Sequence, residues 1–161
     1  MKPVRDASHR IHMTFFAILM TLCCAILPPI NHAQPRTSQE NKQIVIEFYT
    51  MAFENKLVQE AFVRYVGDVY IQHNPRVPDG KKAAVKFLSE RFRDDPQRVV
   101  EIRRVIGGGD LVAVHVHSRN SPEDRGVAIV DISRVAREKI IEHWDVIQPV
   151  PETAANQNPM F

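Results

Sequence analysis

From Arg98 to Gln148 the apolar residues stop recurring every three or four positions and begin to alternate. That change of period constrains the fold more than any other feature of the chain. It predicts four strands: Arg98–Ile106, Leu111–Arg119, Arg125–Val135 and Lys139–Gln148. Gly107-Gly108-Gly109-Asp110 supplies a hairpin turn between the first two, and Asn120-Ser121-Pro122-Glu123-Asp124 a second turn. Ala136-Arg137-Glu138 must make the third without the usual turn residues. Before Arg98 the spacing is helical. Ile44, Phe48, Met51 and Ala52 predict an amphipathic helix to about Phe53, with Ser38 as its N-cap. Val58, Phe62 and Tyr65 or Val66 predict a second, short helix closed by Gly67. Val69–His73 reads as extended and ends at the turn signal Asn74-Pro75. Asp79 is expected to cap a third helix over Gly80–Arg93, with Ala83, Ala84, Phe87, Leu88 and Phe92 as its apolar stripe. Helices first and strands after imply an α+β domain, with the helices packed on one face of a curved antiparallel sheet.

The first 33 residues are of another kind. A polar, basic start to His12 precedes fifteen uncharged residues, Met13–Leu27, and then Pro28-Pro29. Fifteen residues are short of the roughly twenty a spanning helix needs. Together with the small residue Ala33, they read as a secretory signal cleaved before Gln34, and so as an exported protein, periplasmic or secreted. Asn31 at position −3 departs from the usual small residue, and a retained anchor is the alternative. Met13 is a second candidate start. The division expected is therefore a signal over 1–33, a flexible arm over 34–41, one domain over 42–148 and a disordered, proline-marked tail over 149–161.

Composition narrows the function classes. The remaining 128 residues balance at 18 basic and 18 acidic side chains, so they carry no nucleic-acid footprint. Contact with a membrane is expected only in transit. Both cysteines, Cys23 and Cys24, lie in the leader, which removes disulfide, zinc-finger and cysteine-nucleophile chemistry from the domain. Its only histidines are His73, His115, His117 and His143.

Alternation then distributes side chains between faces. His115 and His117 share a face with Leu111 and Ala113, opposite Val112, Val114 and Val116. Asp131 shares one with Val127, Ile129 and Ser133, and His143 and Asp145 share one with Ile141 and Ile147. A three- or five-residue loop centred on Arg137 pairs Asp131 with His143 and turns both toward the side of Asp145. Two carboxylates and an imidazole on a largely apolar face are costly unless paired or functional. A cross-strand pair on a solvated surface is the plain alternative. His115 and His117 join the cluster if their strand lies alongside.

Several segments resemble the SnoaL-like polyketide cyclase family of the nuclear transport factor 2-like fold. They are NKQIVIEFYTMAF at the first helix, YIQHNP (Tyr70–Pro75) followed by Asp79-Gly80, VAVHVH (Val112–His117), VAIVDISRV (Val127–Val135) and KIIEHWDVIQP (Lys139–Pro149). The resemblance implies a cone-shaped α+β barrel, in which helices and a strongly bent sheet enclose an apolar pocket. It also implies a cofactor-free, metal-free aldol-type ring closure with an aspartate as acid/base. That role falls on Asp145, two residues after His143. Asp131 stands where the family can carry a histidine, and Asn74 matches a pocket-facing asparagine. On this reading Asp145, His143 and Asp131 are catalytic. Asn74, His73, His115, His117 and Tyr70 bind a small apolar carbonyl compound.

Two rivals stand beside it. Gly109 and His115-x-His117 with Glu123 approach the first cupin metal motif, but Glu123 is one residue late and the second motif is absent. The same pocketed fold also serves as a non-catalytic binding or dimerisation module. A homodimer is expected through an apolar sheet face formed by Val112, Val114, Val116, Ile132, Trp144 and Val146.

Overall fold

The computed structural model describes residues 37–161; the leader and the first residues of the arm lie outside that range. Three helices precede a five-stranded sheet. They are α1 (Ser38–Tyr49), extended by a π-helical turn over Thr50–Glu54, then α2 (Val58–Tyr65) and α3 (Lys81–Asp94). The strands are β1 (Val66–Gln72), β2 (Val99–Gly108), β3 (Leu111–Arg119), β4 (Val127–Ala136) and β5 (Lys139–Pro149), in the sheet order β1-β5-β4-β3-β2. The four strands read from alternation form an antiparallel meander. β1 adds to its β5 edge in parallel, which makes the sheet mixed.

Local chemistry explains where the ends fall. Thr37, not Ser38, caps α1: its Oγ1 accepts from Glu40 N at 3.3 Å, while the Glu40 carboxylate accepts from Thr37 N at 2.8 Å, a reciprocal capping box. Ser38–Asn41, expected as part of a flexible arm, are therefore helical. Asn41 is buried, and its amide donates to Gly109 O at 3.0 Å. Gly67 does not end α2 but continues into β1. Asp79 does not cap α3; its Oδ1 accepts from Gln72 N at 2.8 Å and ties the intervening loop to β1.

The core lies between the helices and one face of the sheet. Val45, Phe48, Tyr49 and Ala52 of the first helical segment and Ala61 and Phe62 of α2 pack toward Val112, Val114 and Val116. These three valines are fully buried, so they are core and not the exposed interface expected from the sequence. Each contributes on the order of 1.5–3 kcal/mol by burial. Alternation then puts Ala113, His115 and His117 on the outer face.

The β4–β5 hairpin sets the register that matters. Arg137 (φ 49°) and Glu138 (φ 65°) form a two-residue turn with both residues left-handed. Carried straight on, that turn pairs Asp131 with Trp144, which would put Asp131 opposite in facing to His143 and Asp145. A bulge intervenes: Val135 pairs with Ile140 but Arg134 with Glu142, so Ile141 is the extra residue. Beyond it Asp131 pairs with Asp145, and Ser133 with His143. The direct Asp131–His143 pairing expected from the sequence is thus displaced by one pair, while the shared face is retained.

Pro149 ends β5, and the segment after it holds no helix or strand. It is not detached, however. The Phe161 ring stacks on His117 with centroids 4.1 Å apart and on His115 at 5.5 Å. No helix among the described residues is long and apolar enough to cross a membrane.

Candidate active site

A cavity of about 360 Å³ opens between the inner sheet face and the helices. Phe48, Phe62, Phe87, Leu88, Phe92 and Ile129 supply much of its apolar wall. Asp131, His143 and Asp145 line it from β4 and β5, and Tyr70, Gln72 and Asn74 from β1 and the loop after it.

The polar groups form one network. His143 Nε2 lies 2.9 Å from Asp131 Oδ1, and His143 Nδ1 lies 2.8 Å from Gln72 Oε1. The backbone N–H of Asn74 donates to the same Gln72 oxygen at 2.9 Å, which fixes that atom as an acceptor. Nδ1 must therefore carry a proton and donate it to Gln72. On the other side of the ring, a single proton is shared between Nε2 and Asp131. The second oxygen of Asp131 accepts from the Tyr49 hydroxyl. Asp145 Oδ2 accepts from Asn74 Nδ2 at 2.5 Å, and its Oδ1 has no hydrogen-bond partner among the described residues.

Burial governs the charges. It pushes the Asp131 carboxyl up from 3.8; the hydrogen bond and charge of His143 oppose this, and the neighbouring Asp145 charge adds to it. For His143, burial disfavours the cation, but the hydrogen bond and charges of Asp131 and Asp145 outweigh it and the net shift is upward from 6.5. Tyr70 is also pushed up, by burial and then by the Asp145 charge, and stays a neutral phenol.

Both members of the Asp131–His143 pair shift upward, so the folded chain holds protons here that the unfolded chain has released. Their contribution is fully present below the unfolded values and is lost as pH rises through the folded ones. For His143 that window lies above 6.5. The downward-shifted carboxyls, Asp95, Asp124 and Glu142, titrate in the acid range and are silent there. His115, shifted down by burial and then by the Arg104 and Arg103 charges, gains stability as pH rises toward 6.5 and changes little well above it. Melting temperature is accordingly expected to fall as pH is raised above 6.5. Asp131→Asn, which removes the hydrogen bond and the larger of the two charges that raise His143, should abolish the decline. Parallel melting curves for the two proteins across pH 6 to 9 would contradict the shared proton.

The structure brings together Asp131, His143, Asp145, Asn74 and Tyr70 from the residues selected by sequence, and separates three others. His73 lies on the other face, its ring stacked on Trp144 at 4.8 Å and its Nε2 2.9 Å from Glu142 Oε1. The reason is alternation along β1, which turns Tyr70, Gln72 and Asn74 inward and His73 outward. His115 and His117 are outside for the same reason on β3. His115 Nδ1 contacts Arg104 at 2.9 Å, and His117 Nε2 contacts Arg125 O at 2.8 Å. Among the described residues they join no group of three potential metal ligands. The group that does converge is Asp131, His143 and Asp145, whose donor atoms lie within 4.8 Å of one another. Tyr49 and Gln72 are not among the residues to which the sequence points. A tyrosine on a buried helical stripe signals a hydroxyl in need of a partner, and Gln72 sits in step with Tyr70 and Asn74.

A family model described as SnoaL-like domain matches residues 45–143. Solved structures share the fold. A SnoaL-like protein of unknown function from Burkholderia thailandensis superposes with a TM-score of 0.59 at 15% identity, covering 71% of this chain and 99% of that one. A candidate isomerase of the SnoaL-like family from Agrobacterium tumefaciens gives 0.58 at 11%, covering 68% and 98%. A candidate polyketide cyclase from Bacillus cereus gives 0.57 at 24%, covering 67% and 74%. No curated protein shows significant sequence similarity to the chain.

Proposed function

Because the chain belongs to the SnoaL-like domain family, we propose that its cavity is an acid–base site acting on a small, largely apolar carbonyl compound. One observation carries this reading: Asp145 presents an oxygen without a hydrogen-bond partner to an apolar cavity, beside a pair that shares a proton. Asp145 Oδ1 takes a proton from the carbon next to the carbonyl, and the electron pair of that C–H bond passes to the carbonyl oxygen. The shared proton stays in the His143–Asp131 hydrogen bond, and the imidazolium form of His143 places positive charge beside the developing oxyanion. In an aldol closure the enolate carbon attacks a second carbonyl. The resulting alkoxide takes the proton from Asp145, which restores the site. Asn74 fixes the carboxylate, Gln72 the imidazole and Tyr49 the Asp131 carboxyl. Neighbours of the same fold described as candidate cyclase and isomerase support this class of chemistry.

The test is exchange of α-protons for deuterium in a panel of small ketones and aldehydes, followed by NMR. Protein-dependent exchange is expected. Ligand binding without exchange in any member would favour the non-catalytic binding module instead.

Export and dimerisation belong to the same proposal. A mature terminus near Gln34 is expected on N-terminal sequencing of the native protein outside the cytoplasm. An intact Met1 or Met13 terminus recovered from membranes would overturn it. The dimer surface is the outer sheet face, where Val130 and Val146 are exposed beside Ile132 and Trp144.

A further inference from the structure

The cavity also carries cationic side chains outside the acid–base cluster. Among the described residues, the side chains lining it include three arginines, Arg76, Arg91 and Arg98, and only two carboxylates, Asp131 and Asp145. Arg98 is an internal tie: it is buried and donates to Ser118 Oγ and to Asp95 Oδ2, both at 2.9 Å. The other two are exposed. Arg91 lies on the cavity-facing stripe of α3, in step with Ala84, Leu88 and Phe92, where helical spacing otherwise places apolar side chains. Its one carboxylate partner is Asp95, at 3.4 Å, and Asp95 is held more closely by Arg98. Arg76 has no carboxylate partner among the described residues. Its backbone N–H donates to Asn74 Oδ1 at 2.8 Å, and the amide of the same Asn74 holds Asp145. Two residues of chain span at most about 7 Å, so Arg76 is tethered within a small molecule's length of Asp145.

We propose that the ligand is a keto acid: an apolar chain that carries a ketone for Asp145 and, a few carbons away, a carboxylate for Arg76 and Arg91. The placing of the ketone rests on the acid–base reading above; the recognition of the anion rests on the arginines alone. A guanidinium offers paired N–H donors that match a carboxylate. At the rim of an apolar cavity, part of the water that screens such a pair on an open surface is excluded. The two guanidiniums draw an anionic group into the cavity, while the carboxylates of Asp131 and Asp145 repel it.

The experiment compares 4-oxononanoate with its methyl ester by calorimetry at pH 7 and low salt. The acid is expected to bind about tenfold more tightly than the ester, a difference of ~1.4 kcal/mol. In Arg76→Gln/Arg91→Gln the preference should vanish while the affinity for the ester is unchanged, which also reports an intact cavity. Equal affinities in the unaltered protein, a preference that survives the double substitution, or binding of neither compound would overturn the proposal. α-Deuterium exchange separates it from the acid–base reading. Preference for the acid without exchange keeps the anion site and removes the catalytic role of Asp145. Exchange with equal affinity for acid and ester does the reverse.

Discussion

Asp145→Asn is expected to slow α-proton exchange and turnover by about 10²–10⁴-fold, the usual cost of losing a general base. The substitution is nearly isosteric. Its amide oxygen still accepts from Asn74 Nδ2, so the Asn74 contact and the loop it anchors are retained. The cavity keeps its apolar wall, and ligand affinity should change little. Melting temperature should hold as well, because removing a partly buried negative charge next to Asp131 relieves repulsion while its hydrogen bond is retained. Turnover, binding and melting curves measured on one preparation thus separate a chemical role from a structural one. Exchange at the unaltered rate would take Asp145 out of the mechanism. A large fall in melting temperature would make it a structural residue instead.

Val114→Asp should prevent folding, whereas Val146→Asp should leave the fold intact. Val114 is fully buried and pairs directly with Asp131, so the new carboxylate would enter the core beside an existing one. A buried, unpaired charge of this kind costs more than ~4 kcal/mol, against a typical total stability of about 5–15 kcal/mol. Val146 is 69% exposed on the outer face. A charge there changes monomer stability by about 0.5 kcal/mol or less. If the outer face is the dimer interface, Val146→Asp lowers the mass in light scattering to that of one chain. Circular dichroism and light scattering check both variants. A folded Val114→Asp would overturn the assignment of the inner face, and an unaltered dimer in Val146→Asp would move the interface elsewhere.

Much of this is legible in the sequence. The switch of period at Arg98 determined that helices precede a meander, and the turn signals placed the β2–β3 and β3–β4 connections. Spacing also set Asp131 apart from its neighbours and put His143 in step with Asp145. Resemblance then gave Asn74 and the family. Alternation alone would have excluded His73, because it is out of step with Tyr70 and Asn74.

Which face of the meander turns inward was not legible. Alternation states which side chains share a side, but it does not state which side the helices cover. On β3 both sides offer apolar residues, Leu111 and Ala113 on one and Val112, Val114 and Val116 on the other, so polarity gives no cue. Packing decided it: the valine side fills the space against Phe48 and Phe62, and His115 and His117 go outward with the rest of their side. The relation between β4 and β5 was equally hidden. A two-residue turn and a bulge at Ile141 each move the register by one, and a one-residue slip exchanges the faces of a strand. Local sequence determined the helices and strands and put the acidic and imidazole groups on them. Only the folded hairpin, with its one extra residue, brought Asp131, His143 and Asp145 to the same wall of the cavity, because facing depends on the sum of every turn and bulge between two strands and not on either strand alone.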